Sequence, residues 1–108
     1  MNTNVEALIV ITTVPDEILA VKITESLLQQ SFAACVHVLP AGRSHYRWQG
    51  KIEQAAEITL VIKTSRERYR QLEDEIKRLH PYEVPEILAL TVETGLPAYL
   101  EWIANETR

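Results

Sequence analysis

The stretch ALIVITTVPDEILAVKITESLL, residues 7–28, changes its apolar spacing midway, and the change marks a strand followed by a helix. Ala7 to Val14 is continuous and β-branched, and Pro15 ends it, which predicts a strand. Pro15, Asp16 and Glu17 then form a helix start with negative charge in the first turn. Leu19, Ile23 and Leu27 step by four with Ala20 and Leu28 beside them, leaving Lys22, Glu25, Ser26 and Gln29 on the wet side.

Outward from this unit further strands and helices follow, with no internal repeat. Ala33 to Leu39 predicts a second strand, which Pro40 and Gly42 interrupt as a bulge or bend on a sheet edge before it resumes through Ser44 to Trp48. Gln49 and Gly50 make a turn into a third strand from about Lys51 to Lys63. Thr64 to Glu67 has the T-x-x-E spacing of a capping box. Tyr69, Leu72, Ile76 and Leu79 then predict a helix ending before Pro81, with Glu73 and Lys77 as an exposed i,i+4 pair. Tyr82 to Pro85 is a loop, Ile87 to Val92 a fourth strand, and Pro97 opens a short helix carrying Tyr99, Trp102 and Ile103. The order is βαββαβ plus a C-terminal helix, an α+β chain with the ferredoxin-like split βαβ motif, two helices on one face of an antiparallel sheet. We expect a single domain over residues 1–108.

Such a sheet has one face covered and one open, so its strands should alternate apolar and polar. Leu8-Ile9-Val10-Ile11, Leu60-Val61-Ile62 and Ile87-Leu88-Ala89-Leu90 do not alternate. Leaving several Ile, Leu and Val side chains in water forfeits several kcal/mol at about 25 cal/mol per Å². The pattern therefore predicts an obligate homo-oligomer packed sheet to sheet, with the hairpin around Trp48 reaching a neighbour. The alternative is a monomer whose last helix folds back over the sheet.

The charge balance narrows the partners. Eleven Lys and Arg stand against 15 Asp and Glu, a formal net charge of −4, which lacks the basic footprint of a nucleic-acid binder. Met1 to Glu6 holds no Lys or Arg, so no charged n-region of an export signal is expected. No apolar run approaches the roughly 20 residues that span a bilayer. One cysteine, Cys35, excludes a disulfide within the chain and suits a reducing compartment. A cytoplasmic protein with no membrane partner is expected.

Three constellations carry chemistry. Cys35 and His37, two apart on a strand, share a face and are good copper or zinc donors; the alternative is a small buried hydrophobe beside an interface histidine. His80 closes a helix before a Pro-containing loop. It either ligates a metal with Glu83 or Glu86, or caps the helix C-terminus as a cation. His45, Tyr46, Arg47 and Trp48 crowd the hairpin tip, where they either pack on a partner subunit or line a ligand pocket, with Lys51, Glu53 and Lys63 as charge sources. No nucleophile has a base and orienter near it in sequence, and Gly42, Gly50 and Gly95 are isolated, so no phosphate-binding glycine loop exists and no enzyme is expected.

Several segments are specific enough to carry a family resemblance: Thr13-Val14-Pro15-Asp16-Glu17, Ala33-Ala34-Cys35-Val36, Leu39-Pro40, Tyr46-Arg47-Trp48-Gln49-Gly50-Lys51-Ile52-Glu53, Ile62-Lys63-Thr64, His80-Pro81-Tyr82-Glu83-Val84-Pro85-Glu86-Ile87 and Tyr99-Leu100-Glu101-Trp102. In order and spacing the chain resembles the CutA family of divalent-cation tolerance proteins. The resemblance implies a homotrimer of ferredoxin-like subunits similar to PII signalling proteins, a part in the response to heavy metals, and weak binding of Cu(II) or another divalent cation. Copper sites proposed in some family members use a strand-one cysteine and two consecutive histidines before the proline. The matching positions here are Thr12, Leu79 and His80, so His80 alone carries over. The candidate metal residues are His80, Cys35 and His37. The alternative function is a PII-like module that binds a small ligand or partner protein at the subunit interfaces.

Overall fold

A computed structural model of the protein describes residues 6–108. Residues 1–5, which carry most of the expectation about an export signal, lie outside the described residues. β1 (Ala7–Val14) ends at Pro15, and Asp16 caps α1 (Glu17–Gln29) by accepting a hydrogen bond from the Leu19 N–H at 2.8 Å. β2 (Cys35–Val38) and β3 (Gly42–Trp48) are the two pieces of the interrupted strand, since Pro40 cannot donate to a ladder. β4 (Lys51–Ser65) pairs with both of them, followed by α2 (Arg66–Leu79), β5 (Ile87–Thr91) and α3 (Pro97–Glu106).

The sheet order is β2-β4-β1-β5, with every neighbouring pair antiparallel and β3 continuing along β4. Each βαβ crossover skips one strand, the arrangement of the split βαβ motif. β4, at about 3.3 Å per residue, runs nearly the full 51 Å of a molecule measuring 51 × 26 × 23 Å. Its first half and β3 form a hairpin of mostly exposed residues.

α1 and α2 cover one face, where Val10, Val14, Leu60 and Ile62 pack against Ala20, Ile23, Leu27, Leu72 and Ile76. Strand register identifies the opposite face. Ile9 pairs with Lys63 and Leu90, and Ile11 with Val61 and Leu88. Cys35 opposes Lys63 and His37 opposes Val61 on the same face. Leu88 is 58% exposed and Leu90 52%. α3 covers only one end of this face: Ile103 is buried, and the Thr107 hydroxyl donates to Ser65 Oγ at 3.0 Å, where Ser65 pairs with Ala7.

Three local expectations are corrected. Thr64 is not a helix cap but the penultimate residue of β4, and its hydroxyl donates to the Phe32 carbonyl at 2.6 Å; the cap position belongs to Ser65, whose side chain makes no capping bond. Glu73 accepts from the Tyr69 hydroxyl at 2.7 Å, and the ion pairs formed within α2 among the described residues are Arg70–Asp74 and Arg78–Glu75. Ser26 is not on a wet face, because it donates to buried Glu75 across the α1–α2 contact.

Candidate functional site

A cleft of about 530 Å³ opens between the β3–β4 hairpin and the loop that follows α2. The hairpin contributes Ser44, His45, Tyr46, Trp48 and Glu57. The loop contributes Tyr82, Glu83, Val84 and Glu86, and Thr13 at the end of β1 forms part of the lining. The volume lies in the range of small-molecule sites.

His80 builds one wall without lining it. Its ring is buried, its Nε2 is 2.7 Å from the Thr13 carbonyl oxygen, and its Nδ1 accepts the Tyr82 N–H at 3.2 Å. An Nδ1 that accepts leaves the proton on Nε2, which therefore donates to Thr13: a neutral imidazole with both nitrogens engaged. The ring also lies 4.6 Å from the Tyr82 ring, tilted by 54°. The C-cap role read from sequence is thereby recast, because the imidazole ties the loop to β1 rather than facing the last helical carbonyls.

Tyr82 and Glu57 join the walls. The Tyr82 hydroxyl donates to Glu57 Oε2 at 2.9 Å, and the Ser44 hydroxyl donates to Oε1 at 2.5 Å. Burial and then the adjacent Glu57 carboxylate push the Tyr82 phenol up to about 12. Glu57 had no signal in the sequence beyond its place on a strand, whereas Tyr46, Trp48, Glu83 and Glu86 stood in segments already singled out.

The other two candidate metal residues lie elsewhere. Cys35 is half-buried and His37 exposed on the open face of β2. The Cys35 sulfur is 4.0 Å from Lys63 Nζ, a cation that disfavours a metal ion beside it. Among the described residues no three His, Cys, Asp or Glu side chains stand close enough to hold a metal ion. One subunit thus offers a two-donor pair, and its residues do not fit a closed copper or zinc site. No described helix is long and apolar enough to cross a membrane.

Architecture and cleft together define an α+β protein with a one-sided sheet and an acid-lined site beside a projecting hairpin. Comparison with known proteins then fixes its kinship: residues 8–106 match the CutA1 divalent ion tolerance protein family, and the chain belongs to that family. The Divalent-cation tolerance protein CutA of Thermus thermophilus is 40% identical over 99 residues, covering 92% of this chain and 96% of the relative. The crystal structure of CutA from Xylella fastidiosa superposes with a TM-score of 0.91 at 43% identity, covering 94% and 98% of the two chains. A structure named as the periplasmic divalent cation tolerance protein CutA from Archaeoglobus fulgidus gives 0.90 at 34% identity, covering 94% and 99%.

Proposed function

We propose that this chain is a non-enzymatic, homotrimeric divalent-cation tolerance protein that takes part in the response to heavy metals and binds Cu(II) or another divalent cation weakly. The observation that carries the assembly is the uncovered apolar face, with Leu88 and Leu90 more than half exposed. A second and third copy of the chain, packed sheet to sheet in a PII-like arrangement, remove it from water. The whole of residues 1–108 acts as one domain. We place it in the cytoplasm, where Cys35 stays reduced, in contrast to the periplasmic naming of the Archaeoglobus relative. Its acidic charge fits neither nucleic acid nor an anionic membrane surface as a partner.

For the metal, Cys35 and His37 are the first donors in this reading, because they share one strand face. His80, beside the cleft and apart from that pair, is a separate candidate donor, and it ligates only after giving up its bond to Thr13 or to Tyr82. A pair of ready donors accounts for weak rather than tight binding. The test is a copper titration of the wild type against Cys35→Ser, His37→Ala and His80→Ala. Loss of stoichiometric binding in Cys35→Ser and His37→Ala supports the assignment; unchanged binding in all three variants overturns it.

A second reading is a PII-like module that binds a small ligand or partner protein at the subunit interfaces, and the hairpin–loop cleft favours it for a small ligand.

A further inference from the structure

We propose that the hairpin–loop cleft is a binding site for a small organic polycation, a linear di- or polyamine, held by Glu57, Glu83 and Glu86 between the aromatic faces of Tyr46, Trp48 and Tyr82. This deepens the small-ligand reading and rests on it. Four observations converge. The cleft has the volume of a small-molecule site, about 530 Å³. It carries three carboxylates and one histidine, and no lysine or arginine lines it. Glu57 is held in place by Ser44 and Tyr82, while Glu83 and Glu86 have no ion-pair partner among the described residues and remain free for a cation. Three aromatic side chains supply faces that attract ammonium groups and pack methylenes.

The same features exclude the commonest alternative. A nucleotide or other phosphate ester would meet three carboxylates with no countercharge, a repulsive arrangement at short range. A bare divalent ion finds no cluster of three ligands there. An elongated cation with two or more ammonium groups matches several separated carboxylates and uses the aromatic walls as well.

The experiment uses the intact, assembled protein with Trp102→Phe, so that Trp48 is the sole tryptophan. Trp102 stacks on Tyr99 in α3, away from the cleft lining. Calorimetry and Trp48 fluorescence follow titration with spermidine, with ATP, and with MgCl2 at matched charge. The expected result is saturable spermidine binding that alters Trp48 emission and weakens about tenfold in Glu83→Gln/Glu86→Gln, two exposed substitutions that leave the fold intact. Binding of ATP in place of spermidine overturns the cation class while the small-ligand reading stands. An equal response to MgCl2 reduces the effect to charge screening and overturns the site. No response to any probe up to about 10 mM overturns both the site and the small-ligand reading.

Discussion

The buried imidazole of His80 donates from Nε2 to the backbone carbonyl of Thr13 at 2.7 Å, joining the end of α2 to the end of β1 across 67 residues of chain. The same ring accepts the Tyr82 N–H through Nδ1, so one side chain sets both the strand end and the start of the loop that walls the cleft. Removing it orphans a buried carbonyl and an amide. His80→Ala should therefore lower stability by about 2–3 kcal/mol and speed amide exchange at Tyr82. Denaturant unfolding and hydrogen exchange check this. Unchanged exchange at Tyr82 would show that the imidazole does not organise the loop.

Glu75 lies nearly buried between α1 and α2, accepting from Arg78 at 2.7 and 2.9 Å, from Ser26, and from Gln30 at 3.3 Å. The Arg78 bond and then the Ser26 hydroxyl hold its carboxyl at about 2, below its usual 4.5, against the opposing effect of burial. A lowered folded-state value means that its stabilisation is complete above about pH 5 and is lost as pH falls through about 2. Glu75→Gln should cost about 1–2 kcal/mol at pH 7 and should flatten the acid limb of the stability profile between pH 5 and 2. An acid limb identical in wild type and variant contradicts the assignment.

Tyr82 and Tyr69 are pushed up to about 12, each by burial first and then by a hydrogen-bonded carboxylate, Glu57 and Glu73 respectively. Groups raised in the folded state stabilise fully below their unfolded value near 10, and that contribution disappears as pH rises towards 12. Stability should fall between pH 10 and 12, and Tyr82→Phe should remove part of that slope. A phenolate absorbance titration in which every tyrosine ionises near 10 would refute it.

Thr12 is fully buried on the helix-covered face, and its hydroxyl has no hydrogen-bond partner. Its methyl packs in the core while its oxygen is a desolvated orphan, so Thr12→Val should raise stability by about 1 kcal/mol. Thermal unfolding measures it. A loss of stability would indicate that the hydroxyl is engaged.

Much of this architecture is legible in residue order. The β-branched run from Ala7 to Val14, the stops at Pro15, Pro40 and Pro81, and the four-step spacing of Leu19, Ile23 and Leu27 are local signals, and the elements follow them. The Gln49-Gly50 turn is also local: both residues adopt positive φ, 51° and 79°, as a two-residue hairpin connection requires. What was not legible depends on distant partners. Thr64 reads as a cap until β4 is seen to extend past it and Phe32 to take its hydroxyl. Ser26 reads as a wet position because its contact with Glu75 spans 49 residues. The cleft gathers the hairpin around Tyr46 and the loop around Glu83, and only the sheet register brings Glu57 between them.

The open sheet face is the feature on which the proposed assembly depends, and multi-angle light scattering of the purified protein measures it directly. A homotrimer gives a particle of three 12.3 kDa chains that persists on dilution and dissociates in Leu88→Glu/Leu90→Glu, which places two charges on the exposed face. A stable, folded monomer of the wild type at micromolar concentration would contradict it.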